Sequence, residues 1–569
     1  DYQYAERIYR RTTLPEVREQ FGALLGFFAQ GDLERLHASS GDTDWLLFHA
    51  DGLGELPDAP LGPDLDRLLH GSHNMGQKGI AIMRTPNSSN AQACLLRYGP
   101  SLNHGHLDDL NISYIGLGYE LTYDIGYGDG GTPTQVGWAR QTASHNLVLV
   151  NGQTQLSGEA DDSGGSLHLF AGMPGMQIVD ADADLAYRSR GVEEYRRFLA
   201  LVGDGPRSYL LDIFRVLGGT QHDYLAHALS DDATFEGVSL GEPAQGSLAG
   251  PEINWGERQM ADGYISGTDH QRYSNPAPGN GLGFMMHPQR AQTDDAWAVT
   301  WRLPDGDSFL RMHMLEQPGT EVISTWAPGI FPQYPRATHV VARRSAAEGS
   351  LDSTFVSVRE PYGPAPLAGG LRGMDLMAAA DTDDGGLKYI AGLDIVLFQA
   401  RGFGGQARFR LQVPEAGRYW LRLQPWRSPS YSAATFSLDG SPIGEQFLGT
   451  ALEVGPAPAV TLGPVELTAG EHTLGVTTVR ADAGEPWISL QSIALTDRPE
   501  EAEAGEPAPS IAQVRRIATS GGATALEVRQ TAGPSDRFVY AGTPGGPVKA
   551  GDLSLDGSFG HLRMDGERV

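Results

Sequence analysis

Two histidines stand two residues apart in the run Ser101-Leu-Asn-His-Gly-His-Leu-Asp-Asp-Leu-Asn111. The turn signal Gly99-Pro100 precedes this run, and the alternating residues Ile112–Leu117 after it predict a strand. Residues i and i+2 share one face of an extended backbone, so His104 and His106 are expected to point the same way. Such a pair suits a metal site or an anchor for a substrate.

Two further polar residues follow this pair. Asp124 ends the apolar run that begins at Tyr119, and His145 begins the run that ends at Val150. Three neighbouring antiparallel strands would bring His106, Asp124 and His145 to one point. Two imidazoles and one carboxylate are a common ligand set for a first-row metal, with zinc favoured. An isolated His-x-His pair is more commonly a surface or core pair, so the metal hypothesis rests on the two added residues.

The size and composition of the chain indicate a large, mostly β protein. Its 569 residues are too many for one compact core, so two to four domains are expected. Hydrophobic residues make up 40% of the sequence, which is typical of a globular protein. Many short apolar runs are separated by turn residues, and the chain holds 74 glycines and 36 prolines. This pattern favours a β fold with abundant turns.

The net charge of −28 disfavours nucleic acid as a partner, because phosphate binding requires a basic surface. A local basic cleft on this acidic body would still accept a polyanionic sugar.

No apolar run approaches the roughly 20 residues of a membrane span. Asp1 carries neither an initiator Met nor a signal peptide, so we expect a mature or trimmed chain. The single Cys94 stands in an apolar run and is expected to be a core thiol.

Four segments are predicted along the chain. Residues 1–80 are expected to be helical, as the apolar spacing of Leu14–Phe28 and Pro15 at its first turn indicate. Residues 81–365 are strand after strand and predict a large antiparallel multi-sheet β-sandwich. Residues 369–497 have the rhythm of a small jelly roll. Residues 510–569 are too few for a separate sandwich, so we expect them to return to the first one, with the jelly roll as an insertion.

Four motifs in series resemble the heparinase II/III-like polysaccharide lyases. They occur in the same order as in that family: Gly79-Ile-Ala-Ile-Met-Arg84, His104-Gly-His-Leu-Asp108, Tyr123-Asp-Ile-Gly126 and Ser144-His-Asn-Leu-Val-Leu-Val-Asn-Gly152. The later runs Tyr195–Val202 and Tyr209–Arg215 also match. The similarity spans roughly residues 40–345 and resumes at 510–569.

The resemblance implies a fold and a ligand set. Lyases of this family carry an N-terminal (α/α) toroid followed by a β-sheet domain, so residues 1–80 would be the tail of the toroid. The family's zinc site maps onto His106, Asp124 and His145. The toroid helices that carry a catalytic tyrosine and an Asn/His pair would lie upstream of Asp1, on a missing segment or another chain. The jelly roll resembles a carbohydrate-binding module and is not a standard part of the fold.

The family cleaves uronate polymers by β-elimination, which requires the carboxylate beside C5 to be neutralised before the proton leaves. His104 is the best local candidate for that role, and Asn103 would add a donor. Tyr127 would transfer a proton or position the sugar, with packing as the plainer interpretation. Asp108 and Asp109 are expected to be turn residues or outer partners of a ligand. Zinc is expected to brace loops rather than to touch the substrate.

Arginines near the motif strands would bind an anionic substrate through paired hydrogen bonds. The candidates are Arg140, Arg188, Arg190, Arg196 and Arg197. The alternative is a solvated strand face. Aromatic residues of the jelly roll would stack on sugars, although core packing is the safer interpretation for most of them. These residues are Trp420, Trp426, Tyr431 and Trp487.

Three functions remain open at this point. The first is a lyase acting on a polymer such as alginate or a glycosaminoglycan, and the second is a non-catalytic carbohydrate-binding protein. The third is a uronate C5-epimerase, because removal of the C5 proton serves both reactions. The expected partners are an anionic polysaccharide or oligosaccharide and the missing toroid segment or chain, with a homo-oligomer left open. The substrate class implies a secreted or periplasmic protein.

Overall fold

The computed structural model of this chain describes the following residues: 2–29, 71–86, 91–100, 105–117, 119–126, 134–156, 164–203, 207–253, 281–304, 306–330, 334–363, 370–390, 395–413, 415–451, 454–481, 484–496, 507–520, 522–531, 533–542 and 546–564. The chain divides into two compact units, residues 1–73 and 74–569.

Two helices are described in the first unit, α1 (Tyr2–Arg11) and α2 (Pro15–Ala29). Pro15 occupies the first turn of α2, where its missing N–H costs no hydrogen bond, as the sequence predicts. The predicted helical pieces at residues 32–37 and 44–49 lie outside the described residues. That these helices end a toroid stays a prediction. No described helix is long and apolar enough to cross a membrane.

The second unit is built almost entirely from strands, with one short α-helix, α3 (Gly373–Ala379). Those before α3 are β1 (His73–Met75), β2 (Ile80–Arg84), β3 (Ala93–Arg97), β4 (Ile112–Gly116), β5 (Tyr119–Glu120), β6 (Val148–Val150), β7 (Leu167–Met173), β8 (Met176–Asp182), β9 (Val192–Val202), β10 (Tyr209–Gly218), β11 (Gln221–His227), β12 (Ala233–Glu236), β13 (Met286–Thr293), β14 (Trp297–Arg302), β15 (Phe309–Met314), β16 (Thr320–Ile330), β17 (Tyr334–Ser345), β18 (Asp352–Tyr362) and β19 (Leu371–Arg372). Those after α3 are β20 (Ala380–Asp381), β21 (Gly385–Ile390), β22 (Ile395–Ala400), β23 (Gln406–Val413), β24 (Gly417–Arg427), β25 (Ala433–Leu438), β26 (Ser441–Leu448), β27 (Gly455–Pro456), β28 (Val460–Leu467), β29 (Gly470–Val479), β30 (Trp487–Thr496), β31 (Ile511–Arg516), β32 (Thr524–Gln530), β33 (Ser535–Tyr540), β34 (Val548–Ala550), β35 (Leu553–Leu555) and β36 (Phe559–Met564).

Four sheets outside residues 371–496 form the layers of this unit. The N-terminal sheet has the order β1-β2-β3-β4-β5, and the flanking sheet has the order β13-β16-β17-β11-β6. The central sheet has eight strands in the order β12-β14-β15-β18-β10-β9-β8-β7. The C-terminal sheet has the order β31-β32-β33-β36. The strand pairs are antiparallel, for example β9–β10, β16–β17 and β32–β33.

The central sheet is buried on both faces. Alternate residues of β10 point to opposite sides, so Leu210 and Phe214 join a core with the N-terminal and flanking sheets. Leu211 and Ile213 join a second core with residues of the C-terminal sheet such as Phe538. Burial on two faces explains why the sequence of β10 is almost continuously apolar, since both sets of side chains leave water.

Residues 371–496 form a separate two-sheet sandwich with a core of its own. Trp426 and Tyr431 are buried in it, whereas Trp420 and Trp487 are half-buried. The chain then returns to the central layers, where the Glu360 carboxylate accepts hydrogen bonds from the Ser510 and Ile511 amides at 2.9 and 3.0 Å. The predicted mainly β, antiparallel fold class is confirmed. The predicted domain limits stay predictions.

Cys94 lies in the core between the sheets, as the sequence predicts. It is fully buried on β3, and this burial raises the pKa of its thiol to about 12. The thiol is therefore neutral near pH 7 and packs as a small apolar side chain.

Candidate metal centre

The side chains of His106, Asp124 and His145 converge on one point. The His106 Nδ1 and His145 Nε2 atoms are 3.2 Å apart. The Asp124 carboxylate lies 3.2 Å from His106 Nδ1 through Oδ1 and 3.4 Å from His145 Nε2 through Oδ2. Among the described residues, these three form the one group of histidine, cysteine or acidic side chains close enough to share a metal ion.

Loops, and not strands, carry the three side chains. His106 lies in the connection before β4, Asp124 follows the two-residue strand β5, and His145 lies between a 3₁₀ turn (Thr142–Ser144) and β6. The prediction of three neighbouring strands is wrong in this respect, since β4 and β5 belong to the N-terminal sheet and β6 to the flanking sheet. Two sheets therefore meet at the site, and each contributes loop residues.

Local hydrogen bonds fix the direction of two of these side chains. His145 Nδ1 lies 2.9 Å from the Gln141 carbonyl oxygen. A carbonyl only accepts, so Nδ1 carries the proton and Nε2 presents its lone pair to the other two residues. The Asp124 Oδ1 atom accepts a hydrogen bond from the Gly126 amide at 2.7 Å. Gly126 adopts a left-handed conformation (φ 70°) that favours glycine.

The spacing of the three donor atoms fits zinc. Ligand atoms about 2.0–2.2 Å from a tetrahedral zinc lie about 3.3–3.6 Å from one another. The three separations observed here fall between 3.2 and 3.4 Å. Two neutral imidazoles and one carboxylate are also a chemically suitable donor set for this ion. The residues present therefore fit zinc.

The protonation states at the site agree with metal binding. Burial lowers the pKa of His145 and outweighs the opposing effect of Asp124, which keeps the imidazole neutral near pH 7. Burial raises the pKa of Asp124, but the neighbouring His106 and His145 side chains outweigh it and hold this pKa well below its usual range. A neutral imidazole and an ionised carboxylate are the forms that bind a metal.

The other predicted catalytic residues, Asn103, His104 and Tyr127, lie outside the described residues. Their predicted neighbours are described. Asp108 is buried in an ion pair with Arg97, and Asp109 accepts a hydrogen bond from the Gly164 amide at 2.8 Å. Both acids thus hold the backbone near His106.

The predicted substrate-binding arginines lie in different settings. Arg188 is exposed and Arg140 is half-buried, with its carbonyl accepting a hydrogen bond from the Leu107 amide at 3.0 Å. The half-buried Arg190 donates to the Thr154 carbonyl oxygen. Their role in substrate binding stays a prediction.

Arg196 and Arg197, in contrast, are committed to buried carboxylates. Arg196 pairs with Asp180 and Arg197 with Asp212, at 2.8 and 2.6 Å. These two guanidinium groups therefore form ion pairs inside the core. This corrects the prediction that they belong to a cluster that binds an anionic substrate.

Two buried histidines next to the site had no clear signal in the sequence. The His227 and His339 rings stack with their centroids 4.4 Å apart. Neither ring nitrogen of His339 has a hydrogen-bond partner among the described residues. Burial lowers the pKa of His227 to about 3 and that of His339 well below its usual value. Both histidines are therefore neutral in the folded protein near pH 7.

We expect the folded protein to lose stability in acid through these two residues. In the unfolded chain each histidine binds a proton near pH 6.5, whereas the folded protein does not, so the free energy of unfolding falls as the pH drops below that value. Each contributes a slope of about 1.4 kcal/mol per pH unit. Replacing His339 by phenylalanine breaks no hydrogen bond among the described residues and should remove one such contribution. Urea denaturation of the parent and of His339→Phe at pH 7 and pH 5 measures how far the free energy of unfolding falls between the two pH values.

The exposed His287, replaced by asparagine, is the control for this comparison. Asparagine tolerates the left-handed backbone at that position (φ 51°). We expect His287→Asn to leave the pH dependence of stability unchanged. An unaltered pH dependence in His339→Phe would show that His339 can take up a proton in the folded state.

Comparison with known families places the site within a recognised domain. Residues 67–327 match the family model described as Heparinase II/III-like, C-terminal. This segment is heparinase II/III-like. It contains His106, Asp124 and His145 together with the strands that precede and follow them. The resemblance predicted from the four motifs is thereby confirmed for the heparinase-like segment.

Several solved structures are similar to parts of the chain. A heparinase III gene product is 15% identical, with 68% of this chain and 45% of that chain covered and a TM-score of 0.35. A xanthan lyase from Paenibacillus is 9% identical, with 99% of this chain and 68% of that chain covered and a TM-score of 0.23. A family 35 carbohydrate-binding module from Clostridium thermocellum is 17% identical, with 23% of this chain and 98% of that chain covered and a TM-score of 0.18. The chain thus spans less than half of that heparinase III, and no curated protein matches its sequence.

Proposed function

We propose that this protein is a polysaccharide lyase that cleaves a uronate-containing anionic polysaccharide, of the alginate or glycosaminoglycan type, by β-elimination. The observation that carries the proposal is the convergence of His106, Asp124 and His145 inside the heparinase-like segment. The substrate class places the protein outside the cytoplasm, in a secreted or periplasmic location, since large glycans occur there.

The proposed reaction needs a group that neutralises the uronate carboxylate. Without it, the C5 proton is too weakly acidic to be removed at a useful rate. His104 takes this role in the proposal and Asn103 adds a hydrogen-bond donor. Tyr127 positions the sugar or transfers a proton, and a tyrosine of the preceding toroid is the main base. Arg140, Arg188 and Arg190 bind further carboxylates of the polymer.

The described residues on either side of His104 in the sequence are held by Arg97. Arg97 donates to the Pro100 carbonyl at 3.0 Å and to the His106 carbonyl at 3.4 Å. These two carbonyls lie on either side of position 104 in the sequence. The side chain of His106, two residues later, is one of the three converging ligands. Arg97 therefore holds the two described residues, Pro100 and His106, that flank His104 in the sequence.

Zinc completes this arrangement in the proposal. His106, Asp124 and His145 would hold the ion, and its contribution would be to fix the position of His106, two residues after His104 in the sequence. The ion would thus have a structural role, while the residues of the loop would bind and polarise the uronate.

The test is the appearance of an unsaturated uronate product, which absorbs in the ultraviolet. The full-length protein is incubated with alginate, heparan sulfate and hyaluronan in turn. Solvent deuterium at C5 without chain cleavage would favour an epimerase instead. Binding of a polymer with neither reaction would favour a non-catalytic carbohydrate-binding protein.

Replacing His104 by alanine should lower the rate of cleavage by about 100- to 1000-fold, the usual effect of removing one group that stabilises developing charge. Zinc content should stay at the parental level, because His104 is not among the proposed ligands. His168→Ala, which changes a histidine on the surface of the same unit, should leave the rate unchanged. Full activity in His104→Ala would contradict the proposed role.

A further inference from the structure

The backbone of one buried residue, Asn146, joins two of the three loops that carry the candidate ligands. Asn146 follows His145 directly and has no exposed surface. Its amide donates to Asn111 Oδ1 at 3.0 Å. Arg197 Nη1 donates to the carbonyl oxygens of Asn146 and Leu110, each at 2.6 Å. The loop of His145 is thereby tied to the loop of His106.

The side chain of Asn146 reaches the third loop through His227. The Asn146 Oδ1 atom accepts hydrogen bonds from the His227 amide at 3.1 Å and from Arg359 Nη1 at 3.2 Å. His227 Nε2 lies 3.0 Å from the carbonyl oxygen of Tyr123, the residue before Asp124. Since a carbonyl only accepts, Nε2 carries the proton, and Nδ1 accepts from Asn146 Nδ2 at 3.2 Å.

We infer that Asn146 and His227 are positioning residues of the metal centre, which together set the relative placement of His106, Asp124 and His145. This inference rests on the proposed zinc site. Neither side chain contacts the ion's proposed ligand atoms; each acts through the backbone next to a ligand. His227 lies on β11, a strand of the flanking sheet, so a regular element supplies the fixed point.

The physical reason is the cost of ordering loops. Fixing the backbone of one residue costs roughly 1–2 kcal/mol in conformational entropy, and three separate loops must be ordered for the ligand atoms to meet. A network that holds the loops before the ion arrives removes this cost from metal binding. Its loss therefore weakens affinity for zinc, in addition to any effect on the stability of the fold.

The inference is tested with zinc alone, by competition with a chromophoric chelator and by the absorption of bound cobalt(II). The variants are His227→Leu, which removes the bond to Tyr123, and Asn146→Asp, which keeps the shape but loses the donor to His227. We expect zinc affinity to fall about tenfold or more in each, within the range for outer partners of ligands. His227→Gln, whose amide can donate to the Tyr123 carbonyl, should recover most of the affinity.

His222→Leu is the matched control. His222 lies on the same strand, is also fully buried, and also makes two hydrogen bonds, to Ser353 Oγ at 2.8 Å and to the Gly218 carbonyl at 2.6 Å. It contacts none of the three loops through these bonds, so we expect lower stability with parental zinc affinity and an unchanged cobalt spectrum.

The outcomes separate the two proposals. If the parent binds zinc but His227→Leu and Asn146→Asp bind it as tightly as His222→Leu does, the positioning role is wrong and the metal site stands. If the parent binds no zinc, the metal site is wrong and the positioning role falls with it. If His227→Leu does not fold, Asn146→Asp and His227→Gln decide the question.

Discussion

Replacing Asp124 by asparagine is expected to lower the affinity for zinc by more than 100-fold. Loss of an outer partner of a ligand already costs 10- to 100-fold, and this change removes a ligand and its charge. An amide is neutral and cannot balance the ion as the carboxylate does. The two imidazole nitrogens, 3.2 Å apart, would then have to hold the ion without an anionic partner.

Replacing Asp124 should reduce both the binding of zinc and the stabilisation that bound zinc gives to the folded protein. A ligand that binds only the folded protein stabilises it by RT ln(1 + [L]/Kd), or about 2.7 kcal/mol at 100 times the Kd. Zinc added to the metal-free parent should therefore raise its thermal midpoint, and the same addition to Asp124→Asn should have no effect. Differential scanning fluorimetry and the zinc content of the purified protein measure the two results.

Asp182→Asn is the control for this comparison. Asp182 also pairs with a histidine, His168, at 2.6 Å, but belongs to no described group of three potential ligands. It should bind zinc like the parent. Parental zinc affinity in Asp124→Asn would contradict the assignment of that carboxylate as a ligand.

Replacing Arg197 by methionine should cost about 3–5 kcal/mol of stability, the usual penalty for removing one member of a buried ion pair. Arg197 and Asp212 are fully buried and joined at 2.6 Å. The remaining Asp212 would keep a hydrogen bond from the Tyr224 hydroxyl at 2.6 Å and the Arg359 guanidinium at 3.8 Å, but would lose its bidentate partner. The carbonyls of Leu110 and Asn146 would lose a donor at the same time.

Urea denaturation of the parent and the variant measures this loss. Arg336→Met is the control, because Arg336 forms an exposed pair with Asp231 that is worth less than about 1 kcal/mol. If Arg197→Met does not fold, Arg197→Lys, which keeps a positive charge beside Asp212, should recover soluble protein. Equal stability of Arg197→Met and Arg336→Met would contradict the assigned role of the buried pair.

Local patterns made much of the fold predictable. The apolar runs Ile80–Arg84 and Ala93–Arg97 predict strands, with Cys94 in the core, and the structure has both strands and a buried Cys94. Pro15 marks the start of α2. These features depend on neighbours within a few residues, where the periods of strands and helices act directly.

Prediction failed where distant parts of the chain decide the outcome. The apolar neighbours of the ligand residues predict extended backbone, whereas the structure places these residues in connections between strands of two sheets. The charge of Arg197 makes it a candidate for binding the substrate, with a solvated strand face as the alternative. Its partner Asp212 lies 15 residues away, and the Asn146 carbonyl that it binds lies 51 residues away. Such pairings have no local signature, since sequence spacing does not show which carboxylate a buried arginine will meet.

The sequence by itself determined which chemical groups this protein can use: two imidazoles, a carboxylate and a neighbouring histidine, in an order shared with one family. Only the tertiary structure decided that three of those groups meet within a few ångströms, and that Asn146 and His227 connect the loops behind them. The physical reason is that each residue's chemical groups are known from its identity alone. The meeting of three loops depends on how two sheets pack, and packing is a property of the whole core.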